Sequence, residues 1–259
     1  MVSIMRNLLK EKLQGKQVTL GVTLGIGNSE TSEALANLGL DWLCIDTQHT
    51  SIDEQTLKTM MQAMSYSEAT PVVRVVSNDL GLINKALDLG AHAVIVPLVN
   101  SRQDAERAVF AARYAPGGMR SWGPRRPAIR DPDYANTANN EVMTIPQIET
   151  ELAYRNIEEI VTTDGIDAIF VGPYDLSMSL GVFRQFDNEK YLKAVEKIVS
   201  TCEKHNVAPG LLAPTGSIEK MVQQRFTLIS LGGDLNMLTQ TVATSLKTAK
   251  DVVNKVKRH

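Results

Sequence analysis

The chain has 259 residues, 43% of them hydrophobic and 22% charged, with a formal net charge of −2. That length is ample for a large core and common for an α/β barrel folded as one domain, and the near-neutral charge leaves no electrostatic footprint for nucleic acid or a membrane surface. No apolar run approaches the ~20 residues of a membrane helix, and the N-terminal MVSIMRNLLKEKLQGK lacks a signal-like apolar core.

That first stretch reads as a leading amphipathic helix of a cytoplasmic protein. Residues 18–24 form the first strand, and Ser29 can cap a helix that ends near Leu38, before Gly39. Residues 42–46 are strand two, and Ser51 with Glu54 makes a capping box for a helix to Met64. Residues 71–75 are strand three, and Asn78 or Asp79 opens a helix closed by Gly90. Strand four covers 93–96, and Ser101 caps a helix to Tyr114. Residues 115–140 lack periodicity and are rich in Gly, Pro and Arg; a loop of that length inside a compact domain is usually functional. Strands five (143–148) and six (168–171) flank a helix over 151–161. A long helix over 187–205 carries Leu192, Val195, Ile198, Val199 and Cys202 on one face. Strand seven is 208–212, Ser217 caps a short helix, and strand eight is 227–231. Asp234 opens the last helix, with an apolar stripe of Leu235, Leu238, Val242, Leu246, Val253 and Val256. Eight strands alternating with eight helices after a leading helix predict a single (β/α)8 TIM barrel spanning 1–259. Cys44, inside a strand, and Cys202, inside a helix, are expected to be reduced core residues.

In such barrels chemistry sits at the carboxyl ends of the strands. The unusual polar residues fall there: Asp46 and His49 after strand two, Arg74 in strand three, Asn100 after strand four, Gln147 and Glu149 at the end of strand five, Asp175 after strand six and Asp234 after strand eight. A lone polar residue at a strand end is commonly a helix cap, but six strands agreeing is hard to assign to capping alone. A parallel βαβ unit brings the carboxyl ends of strands five and six to one edge, so Glu149 and Asp175 should converge. Two hard oxygen donors without Cys or paired His suit Mg2+ or Mn2+, with Co2+ a further option; the alternative is that each acid caps the helix after it. An inward guanidinium at Arg74 needs an anionic partner, either a rim carboxylate or charge developing on a substrate oxygen. His49 is the natural proton carrier at neutral pH, and Asp88, which could equally be a surface residue, could orient it. His92, His205 and His259 fall elsewhere. None of the fourteen lysines sits at a strand's carboxyl end, which argues against imine chemistry and for a metal. Arg113, Arg120, Arg125, Arg126 and Arg130 make the long segment a solvated lid, a subunit contact or a site for an anionic substrate; Gly216 and Gly232–Gly233 are weak evidence for a phosphate cradle.

The blocks DWLCIDTQHT, PVVRV, ALDLGAHAVIVPLVNS, RYAPGGMRSWGP, IPQIET and DGIDAIFVGPYDLSMSLG resemble, in matching order, the HpcH/HpaI aldolases, a family of metal-dependent class II pyruvate aldolases that includes 4-hydroxy-2-oxoheptanedioate and 2-keto-3-deoxyrhamnonate aldolases. The resemblance implies a barrel of the phosphoenolpyruvate/pyruvate type, assembled as a homo-oligomer (a trimer or hexamer) in which the last helix packs on a neighbour. It implies Glu149 and Asp175 as metal ligands with Gln147 beside them, Arg74 on the pyruvate keto oxygen, and the backbone N–H of Tyr174 on its carboxylate. His49 would be the acid/base with Asp88 as its partner, and Asp46 lies in the same block. Where the family usually reads Asp-x-Glu-His-Gly, Gln48 and Thr50 flank His49 here, which leaves one charge fewer near the aldehyde. The SWGP after Arg120 is similar to branches that start from oxaloacetate, such as macrophomate synthase.

The expected reaction is reversible cleavage of a 4-hydroxy-2-oxo acid to pyruvate and an aldehyde through an enolate, with His49, or a hydroxide it controls, as base. The partners are then a small 2-oxo acid and an aldehyde. Alternatives are oxaloacetate decarboxylation through the same enolate, a citrate-lyase-like acyl-CoA lyase, and a barrel that binds metabolites without catalysis.

Overall fold

A computed structural model describes residues 6–213 and 216–256. Eight parallel strands close into a barrel in sequence order: β1 (Thr19–Leu24), β2 (Trp42–Asp46), β3 (Thr70–Arg74), β4 (Ala93–Val96), β5 (Met143–Ile148), β6 (Ala168–Val171), β7 (Ala208–Leu212) and β8 (Leu228–Gly233). Strands covered on both faces need apolar side chains at nearly every position, and β2, β4, β5 and β6 are buried throughout. One apolar cluster fills the barrel, with Trp42, Cys44, Val72, Ile95, Ile145 and Phe170; a larger one lies between the strands and the outer helices. Gly21 is required inside the barrel, because a Cβ there would meet the Trp42 ring at 2.2 Å.

The leading helix α1 (Leu8–Gln14) closes the amino-terminal mouth. Its Leu9 and Leu13 belong to the barrel-interior cluster, and its flank is tied down by Lys10 on Asp167 (3.1 Å) and Lys12 on Asp41 (2.5 Å).

The outer elements are α2 (Ser29–Ala36), α3 (Glu54–Ala63), α4 (Leu80–Asp88), α5 (Arg102–Ala112), α6 (Arg125–Arg130), α7 (Tyr134–Glu141), α8 (Glu151–Arg155), α9 (Ile157–Val161), α10 (Pro173–Ser179), α11 (Glu189–Lys204), α12 (Ile218–Gln223) and α13 (Asp234–Val256). Several expectations need correction. Asn28, not Ser29, caps α2, accepting from the N–H groups of Glu30 and Thr31. Asp53, not Ser51, caps α3: two cap-type residues compete there, and the ionised carboxylate is the better acceptor at the positive end of a helix. The helix over 151–161 is two short helices broken at Asn156, so Leu152 faces solvent. The stretch 115–140 contains α6 and α7, whose faces are too short and polar to show a period. It joins the end of α5 to the start of β5 and therefore lies at the amino-terminal face, so it is no lid over the strands' carboxyl ends. The stripe on α13 is exposed, at 49–69% for the six residues. No helix among the described residues is long and apolar enough to cross a membrane. His259 lies outside the described residues.

Candidate active site

Residues at the carboxyl ends of β2, β3, β5 and β6 meet around one cavity of about 160 Å3, lined among others by His49, Arg74, Gln147, Tyr174 and Asp175. A larger cavity of about 480 Å3 opens at the opposite mouth, beside α1, where no strand presents its carboxyl end.

Asp46 and Arg74 sit opposite each other in the β2–β3 register, so their side chains leave the sheet side by side. The pair is bidentate, with Arg74 Nε on Asp46 Oδ1 at 2.9 Å and Nη2 on Oδ2 at 2.6 Å. Burial works to discharge the guanidinium, but the hydrogen bonds and charge of Asp46 outweigh it and hold Arg74 ionised above its ordinary value. Nη1 has no acceptor among the described residues, so one face of the fork is left for a ligand oxygen. Asp46 Oδ1 also accepts the backbone N–H groups of Gln48 (3.0 Å) and His49 (3.4 Å), which sets the loop that carries the imidazole. That imidazole lines the cavity with no side-chain hydrogen bond among the described residues.

Glu149 is 3% exposed. Its Oε1 accepts the backbone N–H of Leu98 at 2.8 Å, and its Oε2 accepts from Gln147 Nε2. Burial pushes its pKa above the ordinary carboxylate value; Leu98, Gln147 and Arg74 pull against that, while the charge of nearby Asp175 adds to it. The Oε1 of Gln147 is buried with no hydrogen-bond partner among the described residues. Two hard anionic donors and an orphaned buried amide oxygen form a set that a divalent cation would satisfy, and they fit one with weak steric demands that keeps part of its water shell. Among the described residues no three His, Cys, Asp or Glu side chains form a metal cage.

Tyr174 and Asp175 lie in the first turn of α10, after Pro173 at its start. Backbone N–H groups there have no intrahelical acceptor, and the helix dipole favours an anion. Asp88 is not brought to His49. Helix α4 starts above β3 and carries Asp88 towards the far face, where it pairs with Arg120 at 2.9 Å; the Arg120 side chain is fully buried and stacks on Tyr114 and Tyr134. Asp234 holds the β1 loop, accepting from Gly25 (2.8 Å) and Ile26 (3.0 Å), and Asn100 accepts from Thr150; neither lines the cavity. His92 lines the opposite cavity, where burial and Arg130 lower its pKa to about 4.

The family model for HpcH/HpaI aldolase/citrate lyase matches residues 24–241. The chain belongs to this family. It is 34% identical over 241 residues to a 4-hydroxy-2-oxo-heptane-1,7-dioate aldolase of Salmonella dublin, covering 91% of this chain and 92% of that one. Among solved structures, an HpcH/HpaI aldolase/citrate lyase family protein from Burkholderia cenocepacia superposes with a TM-score of 0.88 at 30% identity, over 94% of this chain and 99% of that one. Citrate synthase SbnG superposes at 0.87 and 30%, over 96% and 100%. Macrophomate synthase, at 24% identity, shares the fold with a TM-score of 0.88 over 98% of this chain and 93% of that one.

Three features of this HpcH/HpaI site escape reading by residue type. Leu98 adopts φ +54°, an uncommon conformation for a non-glycine residue, and thereby aims its N–H at Glu149. Gly172 lets the chain pass Glu149, since a Cβ there would lie 2.9 Å from Glu149 Cβ and 3.0 Å from its Oε2. Cys44 lines the cavity as a neutral thiol, pushed up to about 12 by burial.

Proposed function

We propose that the protein is a divalent-metal-dependent lyase that cleaves a 4-hydroxy-2-oxo acid to pyruvate and an aldehyde, and that it runs the reverse addition. The observation that carries this is the cavity itself: an arginine held ionised by Asp46, an unpaired imidazole and the carboxylate of Asp175 face one small space, beside a Glu149 carboxylate that burial and Asp175 both disfavour. Glu149 and Asp175, with the free oxygen of Gln147, would hold Mg2+ or Mn2+, which as a Lewis acid polarises a substrate carbonyl.

The chain's own residues do the rest. The substrate carboxylate rests on the first-turn N–H of Tyr174, and its C2 oxygen meets Nη1 of Arg74. His49 takes the proton from the C4 hydroxyl. The C3–C4 bond breaks, its electron pair moves to form the C2–C3 enolate, and the aldehyde leaves. Arg74 stabilises the charge on the enolate oxygen, and a proton delivered to C3 gives pyruvate. Asp46 fixes both Arg74 and the His49 loop. Within one chain Asp88 is held by Arg120 rather than by His49.

Proton NMR of pyruvate in D2O tests the proposal without knowledge of the aldehyde. Loss of the methyl signal with enzyme and Mn2+ or Mg2+, and not after chelation, is expected. Absence of exchange with any divalent ion refutes the mechanism. Decarboxylation of oxaloacetate passes through the same enolate and is the second reading, distinguished by CO2 release. A self-associated state is also part of the proposal, supported by the exposed stripe on α13.

A further inference from the structure

A second cavity, of about 170 Å3, opens between the ends of β7 and β8 and shares Pro173, Tyr174 and Leu212 with the candidate active site. We propose that it receives the aldehyde half of the substrate, and that it selects a short, uncharged, hydroxyl-bearing aldehyde over one that ends in a carboxylate. The inference rests on the aldolase reading above and names the substrate class for that site.

The lining decides the class. It combines the apolar Phe186, Leu231 and Met237 with the amides of Asn236 and Gln240, one helical turn apart on α13. No Lys, Arg, His, Asp or Glu lines the cavity among the described residues. A carboxylate enclosed there would lose its water without gaining a cation. Among the described residues the two amides carry no side-chain hydrogen bond, so each has a donor and an acceptor to offer a hydroxyl. Arg184 stands outside: its guanidinium lies over the rings of Tyr174 and Phe183, at 5.5 and 5.8 Å, and it does not line the cavity. The volume suits an aldehyde of a few carbon atoms. Gly232, with φ +140°, keeps the space open, because a Cβ there would lie 3.2 Å from Met237 Cε.

The test is aldol addition to pyruvate by the purified full-length enzyme with Mn2+, using glycolaldehyde, acetaldehyde and succinic semialdehyde, with methyl-proton exchange of pyruvate measured in parallel. Glycolaldehyde should exceed succinic semialdehyde in kcat/KM by on the order of tenfold or more. Asn236→Leu and Gln240→Leu should each lower kcat/KM for glycolaldehyde by on the order of 10–100-fold, barely affect acetaldehyde, and leave pyruvate exchange intact. Gln240→Arg should raise activity on succinic semialdehyde. Exchange without addition preference, or a preference for succinic semialdehyde abolished by Arg184→Ala, overturns the pocket assignment while the aldolase reading stands. Loss of exchange in the wild-type enzyme overturns both.

Discussion

Gly172→Ala adds one methyl group where there is no room for it. The new carbon would lie 2.9 Å from Glu149 Cβ, 3.0 Å from Glu149 Oε2 and 3.1 Å from Gln147 Nε2. Ordinary contact needs several tenths of an ångström more at each, and Glu149 cannot yield freely, since Leu98 and Gln147 hold both its oxygens. Overpacking of this kind costs about 1–3 kcal/mol, on the order of 2–12 °C in melting temperature for a domain of this size. The functional loss should be larger than the structural one. A displacement of ~1 Å in a positioning group costs on the order of 10²-fold in rate, so Mn2+ affinity and pyruvate exchange should both fall while circular dichroism still reports a folded barrel. The backbone at Gly172 has an ordinary negative φ of −88°, so strain in the alanine backbone does not confound the result. A folded Gly172→Ala protein with metal affinity and exchange within threefold of wild type would refute the placement of Glu149 in the site.

Arg74→Lys keeps the charge but not the fork, so it cannot hold Asp46 at two points and still reach a ligand; kcat/KM should drop ~10²–10³-fold with Mn2+ affinity nearly unchanged, as seen by steady-state kinetics and metal titration. Glu149→Gln should raise the melting temperature of the metal-free protein near neutral pH and abolish tight metal binding. The sign follows from a folded-state pKa raised above the unfolded one: the carboxyl favours folding when protonated, and that contribution is lost as pH rises through the folded value, so the variant's advantage should shrink as pH falls, in differential scanning calorimetry of both proteins. The amide is accommodated because Gln147 can turn its orphaned Oε1 towards it. Leu246→Glu on the exposed face of α13 should shift the protein to a smaller species in light scattering; an unchanged mass would show that the stripe is not a subunit contact.

The barrel was legible because its strands are continuous apolar runs separated by helical periods, and that pattern depends on neither partner nor ligand. Rim residues were legible for a related reason: Asp46, His49, Arg74, Gln147, Glu149 and Asp175 interrupt those runs at one end of the strands, where topology alone gathers them. Within the chain Asp88 is not beside His49, because α4 runs away from the rim and Arg120, distant in sequence, takes the carboxylate. Leu98 left no trace, since its contribution is a backbone N–H aimed by an unusual φ. The α13 stripe was legible as an apolar face, but periodicity reports amphipathicity and not what covers it.

Charge separation across the cavity is what links these residues to chemistry. Arg74 is stabilised in its ionised form by a carboxylate committed to it, whereas Glu149 is destabilised in its ionised form by burial and by a second carboxylate. A protein that needed only stability would have paired the arginine with the buried glutamate; here each is left incomplete, the arginine with a free Nη1 and the glutamate beside an unsatisfied amide oxygen. A 2-oxo acid and a divalent cation together complete both, since the cation supplies charge to the carboxylates and the developing enolate supplies it to the guanidinium. The two deficits are therefore coupled through the ligand, and removing Arg74 should weaken the binding of an enolate analogue such as oxalate far more in the presence of Mn2+ than in its absence; equal losses under both conditions would show that the two ends of the cavity act independently.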